Sequence, residues 1–330
     1  MLSRVAENLF WIGRYMERAE NVARLVDAAR RMSTLPQEVG QAPSNEWASV
    51  LIAAGGREAF GEDVKSASQR DALAYLLFDK ANPSSVMSCL TTVRENARSI
   101  RFALTQEIWE AVNSAWSEGR RYDMRNARGA GLADLIDWVK SQSALMRGAV
   151  TGTMLRDDGF NFLRLGASFE RADCTARLLD VKYHVLLPSL DDIGSGADNH
   201  QWVSLLQATA AQRAYAFMTK SDVSSSGVAR FLIMESRFPR SILFNLNSVA
   251  RTQTSLETYY GQKADCHDEV SMFIKSVAER SIEDIFKYGL HEFLTDFIDQ
   301  NYEVANLLAG AYGFAPVAGE TDGWASDGSQ

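Results

Sequence analysis

The chain contains one fifteen-residue pattern twice, 153 positions apart and without a gap. GRYMERAENVARLVD, at residues 13–27, aligns with GASFERADCTARLLD, at residues 166–180, and eight of the fifteen positions are identical. Glu20 and Asp173 add a ninth position if they are counted as equivalent carboxylates. Around both copies, apolar residues recur at alternating spacings of four and three, which is the period of a helix with a buried face. A chain patterned in this way is constrained to fold as packed helices.

The repeat extends beyond this pattern and predicts the domain organisation. A shift of 156 positions aligns Pro83 and Ser85 with Pro239 and Ser241, together with apolar positions that follow each pair. We find no run of alternating β-branched residues that would indicate a strand. The sequence therefore predicts an all-α fold, an elongated helical bundle of two duplicated, pseudo-symmetric halves packed as one domain. We expect a first half at residues 1–155, a second half at residues 156–314 and a disordered tail at residues 315–330.

The helix boundaries follow from the apolar period together with the positions of proline and glycine. We expect long helices at residues 3–32, from Pro83 to about Ser117, at residues 132–155 and from about Phe162 to Leu186. A proline-bearing linker is predicted at residues 35–45. The shorter predicted helices lie at residues 44–54 and 70–80, and the second half ends in helices near residues 264–287 and 290–313.

The charge balance and the cysteines exclude several classes of function. With 34 basic against 42 acidic residues, the formal net charge is −8, so the long-range field opposes nucleic acid and anionic lipid. Three cysteines far apart in the sequence predict neither a disulfide framework nor a zinc cluster, and they favour a reducing compartment. The N-terminal residues contain no signal-peptide core, and no apolar stretch reaches the ~20 residues of a membrane helix. We therefore expect a mature, soluble, cytoplasmic protein with no nucleic-acid or membrane partner.

The Glu-Arg step inside the repeated pattern is the main candidate site. Its four residues flank the apolar seam in columns that also carry large apolar side chains, so neighbouring helices should cover them: Glu17, Arg18, Glu170 and Arg171. Since a buried charge is costly unless it is paired, we predict Glu-Arg pairs across the two repeated helices. Two interpretations stay open. One is a buried ion-pair network that fixes the register of the helices, and the other is a polar pocket on the pseudo-two-fold axis whose guanidinium groups bind a carboxylate or phosphate bidentately.

Further arginines are candidates for the same site. Arg24 and Arg177 each follow an acidic residue by four positions, a spacing that is also typical of ordinary ion pairs on a helix surface. Arg94 and Arg98 lie on the helix predicted to start at Pro83, and their counterparts in the second copy are uncharged. This asymmetry is typical of a one-sided binding site, or of a solvated helix face that varies freely.

Several kinds of catalytic and metal site have no matching motif. No histidine follows a glutamate by three positions, as a diiron bundle requires, and His291 lacks the second histidine of a zinc protease. Phosphate-loop, Rossmann and nucleophile-elbow motifs are not matched. Cys174 corresponds to Asn21 in the first copy, so we interpret it as a packed thiol. The sequence predicts no catalytic residue, no metal and no cofactor.

The segments MERAENVARLVD and FERADCTARLLDVKYHVLLP, with RENARSIR and the LTQEIWEAVN that follows it, resemble the alpha-E family. This is a family of bacterial all-helical proteins with a conserved Glu-Arg motif, and the resemblance covers the chain up to about Phe314. It places the motif on Glu17, Arg18, Glu170 and Arg171, with Arg24, Arg177 and Asp180 in flanking positions. The second copy has Ala167 where the first has Arg14, so the two copies differ at that point.

The resemblance also implies partners. Members of the family are typically encoded with circularly permuted ATP-grasp ligase-like proteins and transglutaminase-like proteins, and some are fused to the former. By this analogy we expect a non-catalytic helical partner or substrate-binding subunit of an ATP-grasp-type peptide or amide ligase system, with a central Glu-Arg pocket. One alternative is an enzyme of amide-bond synthesis or modification in its own right, with Glu17 or Glu170 as proton acceptor. The second alternative is a purely structural scaffold.

Overall fold

The computed structural model describes residues 1–34, 45–186, 196–220 and 222–314, with the backbone alone at residues 182–186 and 196–198. This part of the chain is all-helical and contains no strand, as the sequence predicts. The predicted tail and nearly all of the predicted linker lie outside the described residues. The helices in chain order are α1 (Ser3–Met32), α2 (Glu46–Ala53), α3 (Arg57–Phe60), α4 (Gln69–Leu73), α5 (Val86–Ser99), α6 (Gln106–Gly119), α7 (Ala130–Thr153), α8 (Asp158–Leu186), α9 (Gly196–Ala208), α10 (Gln212–Thr219), α11 (Ser225–Met234), α12 (Ile242–Tyr260), α13 (His267–Ala278), α14 (Ile282–Tyr288) and α15 (Leu290–Ala311).

Helices α1 and α8 form the centre of the molecule. Every residue at positions 12–29 of α1 and 172–181 of α8 is buried, so both helices are covered on all sides there. Helix α1 packs against α8, α5, α7 and α9, and α8 also packs against α12, α15 and α2. Burial therefore extends beyond the apolar seam and includes the charged residues of the repeated pattern.

The two central helices cross at a pair of glycines. A Cβ atom added to Gly13 would lie 2.2 Å from the carbonyl oxygen of Leu163, and one added to Gly166 would lie 2.1 Å from that of Phe10. No side chain fits at either position, so only glycine permits this approach. The two contacts are related by the 153-residue shift of the repeated pattern. The crossing brings the Glu-Arg steps, which follow each glycine by about one turn, against one another.

Two of the predicted helix boundaries are wrong. The helix expected from Pro83 to Ser117 is divided, because Ile100 leaves the helical conformation with φ −121° and ψ 27°. A 3₁₀ turn, Arg101–Ala103, follows, and Thr105 then caps α6 by accepting a hydrogen bond from the backbone N–H of Ile108. The segment at 264–287 is likewise divided into α13 and α14, where Ser281 is the N-cap of α14. In both cases a hydroxyl cap starts a new helix inside a continuous apolar period.

Two properties bear on the expectations drawn from composition. None of the described helices combines the length and the apolar composition that crossing a bilayer requires. The three cysteines are buried free thiols, and burial raises the pKa of Cys89 to about 12 and that of Cys266 to about 11. A thiol that stays protonated at neutral pH is a poor nucleophile.

Candidate functional site

The two Glu-Arg steps form reciprocal ion pairs across the crossing of α1 and α8. Arg18 donates from Nε to Glu170 Oε1 at 2.7 Å and from Nη2 to Glu170 Oε2 at 3.1 Å. In the opposite direction, Arg171 donates from Nε to Glu17 Oε2 at 3.0 Å and from Nη2 to the other oxygen. Both pairs are bidentate, and the glutamates are 0% and 4% exposed at positions 170 and 17. The structure thus contains the pairing across helices that the sequence predicts.

Additional arginines surround each pair. Arg14 donates to Glu170 at 2.9 Å, and Arg147 of α7 donates to Glu17 at 3.2 Å and also to Glu20. Glu20 in turn accepts from Arg24 and Arg240. We call this set the Glu-Arg cluster, and it consists of three carboxylates, Glu17, Glu20 and Glu170, with six guanidinium groups, Arg14, Arg18, Arg24, Arg147, Arg171 and Arg240. The cluster is therefore rich in positive charge.

The electrostatics of the cluster keep its carboxylates ionised. Burial alone would raise the pKa of Glu170, but the guanidiniums of Arg18 and Arg14 outweigh it and lower that pKa from 4.5 to about 2. Burial is likewise outweighed at Glu17, chiefly by Arg171, and the pKa of Glu17 lies well below its usual range. Burial lowers the pKa of Arg240 to about 10. A carboxylate with so low a pKa is a weak base, which argues against either glutamate as a proton acceptor.

Arg24 and Arg177 join the central helices to the ends of two short ones. Arg24 donates to the carbonyl oxygen of Ala208, the last residue of α9, at 2.5 Å. Arg177 donates to the carbonyl oxygen of Ala53, the last residue of α2, at 3.3 Å, and to Asp173 at 2.8 Å. A guanidinium at a helix C-terminus satisfies an orphan carbonyl and interacts favourably with the helix dipole. Arg24 and Arg177, both predicted as site residues, therefore stabilise the C-terminal ends of α9 and α2.

The other predicted site residues lie apart from the Glu-Arg cluster. Asp180 pairs with Nδ1 of His291 at 2.5 Å, and this hydrogen bond raises the pKa of that histidine. Arg94 donates to Asn113 at 3.0 Å, with its guanidinium carbon 3.9 Å from the centre of the Trp116 ring. Arg98 is exposed on α5. None of these side chains lines the cavity beside Glu17.

That cavity opens between α1, α7, α8 and α12 and has a volume of about 640 Å³. We call it the Glu17 cavity. Its wall includes four arginines and a single carboxylate, namely Arg147, Arg156, Arg164, Arg171 and Glu17. The volume lies within the range of small-molecule sites. The cluster thus borders a space that is large enough for a ligand and lined with an excess of positive charge.

The two copies of the pattern differ beside this cavity. In α1, Arg14 reaches Glu170 and its guanidinium carbon lies 5.2 Å from the centre of the Trp11 ring. At the corresponding positions of α8 the chain has Ala167 and Arg164. Because Ala167 is too short to reach Glu17, the space beside that carboxylate stays open. Sequence reasoning noted the change from Arg14 to Ala167 but missed Arg147, Arg156 and Arg164.

A second group of potential ligand atoms lies near the cluster. Glu170, Asp173 and Cys174 bring a carboxylate oxygen or sulfur within 4.8 Å of one another. Glu170 is paired with Arg14 and Arg18, and Asp173 is paired with Arg177. Three guanidiniums oppose a cation at this position, so its chemistry does not favour a metal.

The chain matches a family and three curated relatives. The model of the Alpha-E family, described as a predicted alpha-helical domain with a conserved ER motif, matches residues 1–312. The relatives are uncharacterized proteins, one from Mycobacterium bovis and two from strains of Mycobacterium tuberculosis, and each is 22% identical over 333 residues. The match covers 94% of this chain but only 35% of each relative. No solved structure matches the chain. The chain belongs to the Alpha-E family.

Proposed function

We propose that this protein is a non-catalytic, ligand-binding helical subunit of an ATP-grasp-type peptide or amide ligase system, and that its Glu17 cavity binds a carboxylate or phosphate. The observation that carries the proposal is the lining of the cavity, where four arginines meet a single carboxylate. Guanidinium groups recognise carboxylates and phosphates through paired hydrogen bonds. The buried ion pairs would hold the cavity in shape, and the ligand would bind beside them.

The chemistry of the lining supports binding more than catalysis. The described residues around the cavity include no histidine and no cysteine. Glu17 is the only carboxylate among these described residues, and its low pKa makes it a weak base at neutral pH. The rival enzyme, with Glu17 or Glu170 as proton acceptor, would need a carboxylate with a raised pKa. The pKa values of Glu17 and Glu170 are both lowered instead.

The proposal includes an internal duplication that produced two pseudo-symmetric halves. Contacts at the crossing support it, because Gly13 with Leu163 and Gly166 with Phe10 follow the same 153-residue shift. The reciprocal pairing of the two Glu-Arg steps follows that shift as well. In this history the replacement of an arginine by Ala167 opened a cavity in one copy, while Arg14 filled the equivalent space in the other.

The partnership with a ligase rests on family resemblance. The chain spans 35% of the length of the curated relatives it matches, so those proteins carry a similar segment beside further sequence. This arrangement supports a helical domain that acts beside a second protein or domain. The proposed partners are an ATP-grasp-type ligase protein and a transglutaminase-like protein, in the cytoplasm.

A ligase assay with an Ala167→Arg variant tests the proposal. By the 153-residue shift, an arginine at position 167 corresponds to Arg14 and should occupy the part of the cavity beside Glu17 while pairing with that carboxylate. We expect the intact protein to stimulate amide formation by an ATP-grasp-type protein from the same organism, and the variant to fold normally without stimulating it. Gly148→Arg is the matched control, because Gly148 lies on α7 with no atom within 4 Å of an added Cβ.

Two outcomes would decide against the proposal. Turnover of ATP or a peptide by this protein alone would identify an enzyme. Stimulation that survives Ala167→Arg would show that the cavity is not used, and the scaffold interpretation would then apply. Melting temperatures of both variants separate loss of function from loss of the fold.

A further inference from the structure

Two arginines of the Glu17 cavity have no carboxylate partner among the described residues. Arg147 and Arg171 pair with Glu17 and Glu20, but Arg164 donates only to the hydroxyl of Ser248, at 3.1 Å. Arg156 donates only to the carbonyl oxygen of Thr151. Among the described residues, Arg156 and Arg164 are therefore the guanidiniums of the cavity that have no carboxylate beside them.

These two guanidiniums lie near one aromatic ring. Their central carbons are 3.9 Å and 5.6 Å from the centre of the Phe160 ring for Arg156 and Arg164, respectively. Burial lowers the pKa of Arg164, and the neighbouring charges of Arg251, Arg156 and Arg171 lower it further. An anion between Arg156 and Arg164 would relieve this repulsion.

A buried acceptor in the same wall also lacks a partner. Asn245 is 1% exposed and donates from Nδ2 to the carbonyl oxygens of Pro239 and Ser241, at 3.1 Å and 2.7 Å. These two bonds fix the orientation of the amide, because a flipped amide would place its oxygen against both carbonyls. Its Oδ1 has no hydrogen-bond partner. Buried polar atoms are nearly always satisfied, and Asn245 lines the cavity, so a ligand with an N–H or O–H group would supply the missing donor.

The rest of the wall is mainly apolar. It includes Ile12, Met146, Val150 and Leu163, contributed by α1, α7 and α8. Such a surface favours an apolar group on the ligand over a fully hydrated ion. An inorganic phosphate ion would leave this apolar wall uncovered.

We infer that the Glu17 cavity binds the carboxyl-terminal end of a peptide whose last residue is apolar. The carboxylate would pair with Arg164 and Arg156, the last backbone N–H would donate to Oδ1 of Asn245, and the apolar side chain would lie among Ile12, Val150 and Leu163. This inference rests on the proposed function, because it concerns the same cavity. It narrows the ligand from any carboxylate or phosphate to a peptide with a free carboxyl group.

Calorimetric titration with matched peptides tests this assignment. The probes are acetyl-Ala-Ala-Leu as the free acid, its C-terminal amide, and the acid with an N-methyl group on leucine. We expect the free acid to bind at least about tenfold more tightly than the amide, since each charged hydrogen bond contributes a factor of this size. N-methylation should weaken binding severalfold, because it removes the N–H offered to Asn245. Inorganic phosphate should not displace the peptide.

Protein variants assign the contact to its residue. Arg164→Gln should weaken binding of the free acid at least about tenfold and leave binding of the amide unchanged, which a thermodynamic cycle measures. Arg164→Lys serves as a second variant that keeps the charge and loses the planar fork. Arg237→Gln is the control, because Arg237 is exposed and paired with Glu235 away from the cavity.

The outcomes separate this inference from the proposed function. Equal affinity for acid and amide, or displacement of the peptide by phosphate, would overturn the peptide carboxylate while leaving a ligand-binding cavity. Absence of binding by all three peptides would overturn the inference as well, and the ligase assay with Ala167→Arg would still decide the proposed function. Binding that Ala167→Arg does not change would place the peptide elsewhere and overturn the inference.

Discussion

The carboxylate of Glu170 accepts hydrogen bonds from both Arg14 and Arg18 at a position that solvent does not reach. Glu170→Gln removes the negative charge that compensates these guanidiniums and keeps the size of the side chain. Breaking a buried ion pair on one side costs about 3–5 kcal/mol, and we expect the free energy of unfolding to fall by about that amount. Urea unfolding followed by circular dichroism measures the loss.

Glu235→Gln is the control for this substitution. Glu235 also pairs with an arginine, Arg237, at 2.8 Å, but that guanidinium is 72% exposed. Exposed ion pairs are screened by water and contribute little to stability, so no measurable change is expected. Equal effects of Glu170→Gln and Glu235→Gln would contradict the interpretation of the Glu-Arg cluster as a buried network.

The same carboxylates make stability depend on acid pH. The pKa of Glu170 is about 2 in the folded protein against an ordinary value of 4.5, and the pKa values of Glu17, Glu20 and Asp27 are also lowered. Since the folded state binds these protons more weakly than the unfolded state, the stabilisation is complete above pH 4.5 and is lost as the pH falls towards 2. We expect the urea midpoint to drop steeply in this window, and less steeply in Glu170→Gln. A wild-type midpoint that is constant from about pH 5 to about pH 3 would contradict the ionised, paired state.

Individual site residues could be predicted from the sequence where they belong to a local repeated pattern. Both Glu-Arg steps were identified because they recur at the same place in a helical period. Arg147 and Arg164 were not identified, since each acts with groups on other helices and a helical period does not encode which helices meet. The two copies do carry a signal for Arg164, which stands where the first copy has Trp11.

At the scale of helices, the close crossing of α1 and α8 depends on Gly166. A Cβ atom there would lie 2.1 Å from the carbonyl oxygen of Phe10, which is backbone and has little freedom to move. Gly166→Ala therefore forces the two helices apart, and we expect a loss of about 1–3 kcal/mol or more in the free energy of unfolding. Thermal and urea unfolding measure the change.

Gly148→Ala is the matched comparison on α7. An added Cβ there has no atom within 4 Å, so alanine brings only its higher helix propensity. We expect a gain of about 0.5–1 kcal/mol. If Gly166→Ala were stabilising as well, the close contact between α1 and α8 would be wrong.

Helices were predictable from sequence where the apolar period is long and uninterrupted. The central α1 satisfies this condition over nearly its whole length. The break between α5 and α6 was missed because the apolar spacing continues through Ile100 to Leu104 while the backbone turns. Thr105 carries the missing signal, because a hydroxyl residue before a helical stretch is a typical N-cap.

At the scale of the whole molecule, the all-α class follows from the helical period, which needs only local information. The Glu17 cavity depends on four helices from three distant parts of the chain and on the small side chain of Ala167. The apolar period of three and four residues predicts each helix, but it does not predict which helices pack together or where a cavity remains between them. The duplication and its pseudo-symmetric halves stay a prediction.

The two predicted halves share one core through α1 and α8. Positions 12–29 of α1 are buried on all sides, and part of that cover comes from α8 and α9 of the other half. Separation would also leave Glu17 without Arg171 and Glu170 without Arg18. Each half alone would therefore expose apolar surface together with unpaired charges that are buried in the whole protein.

We expect that residues 1–155 and residues 156–330 do not fold when they are produced separately, and that mixing them restores a native-like complex. The chain between α7 and α8 suits the cut, because Leu155 is 74% exposed there. Circular dichroism and the dispersion of amide NMR signals should report weak, non-cooperative structure in each fragment and a cooperative transition in the mixture. Since the paired charges meet only in the complex, Arg171→Gln in the second fragment should weaken reassembly. A first fragment that unfolds cooperatively on its own would mean that the halves are separate domains and that the Glu-Arg cluster joins them without holding the core together.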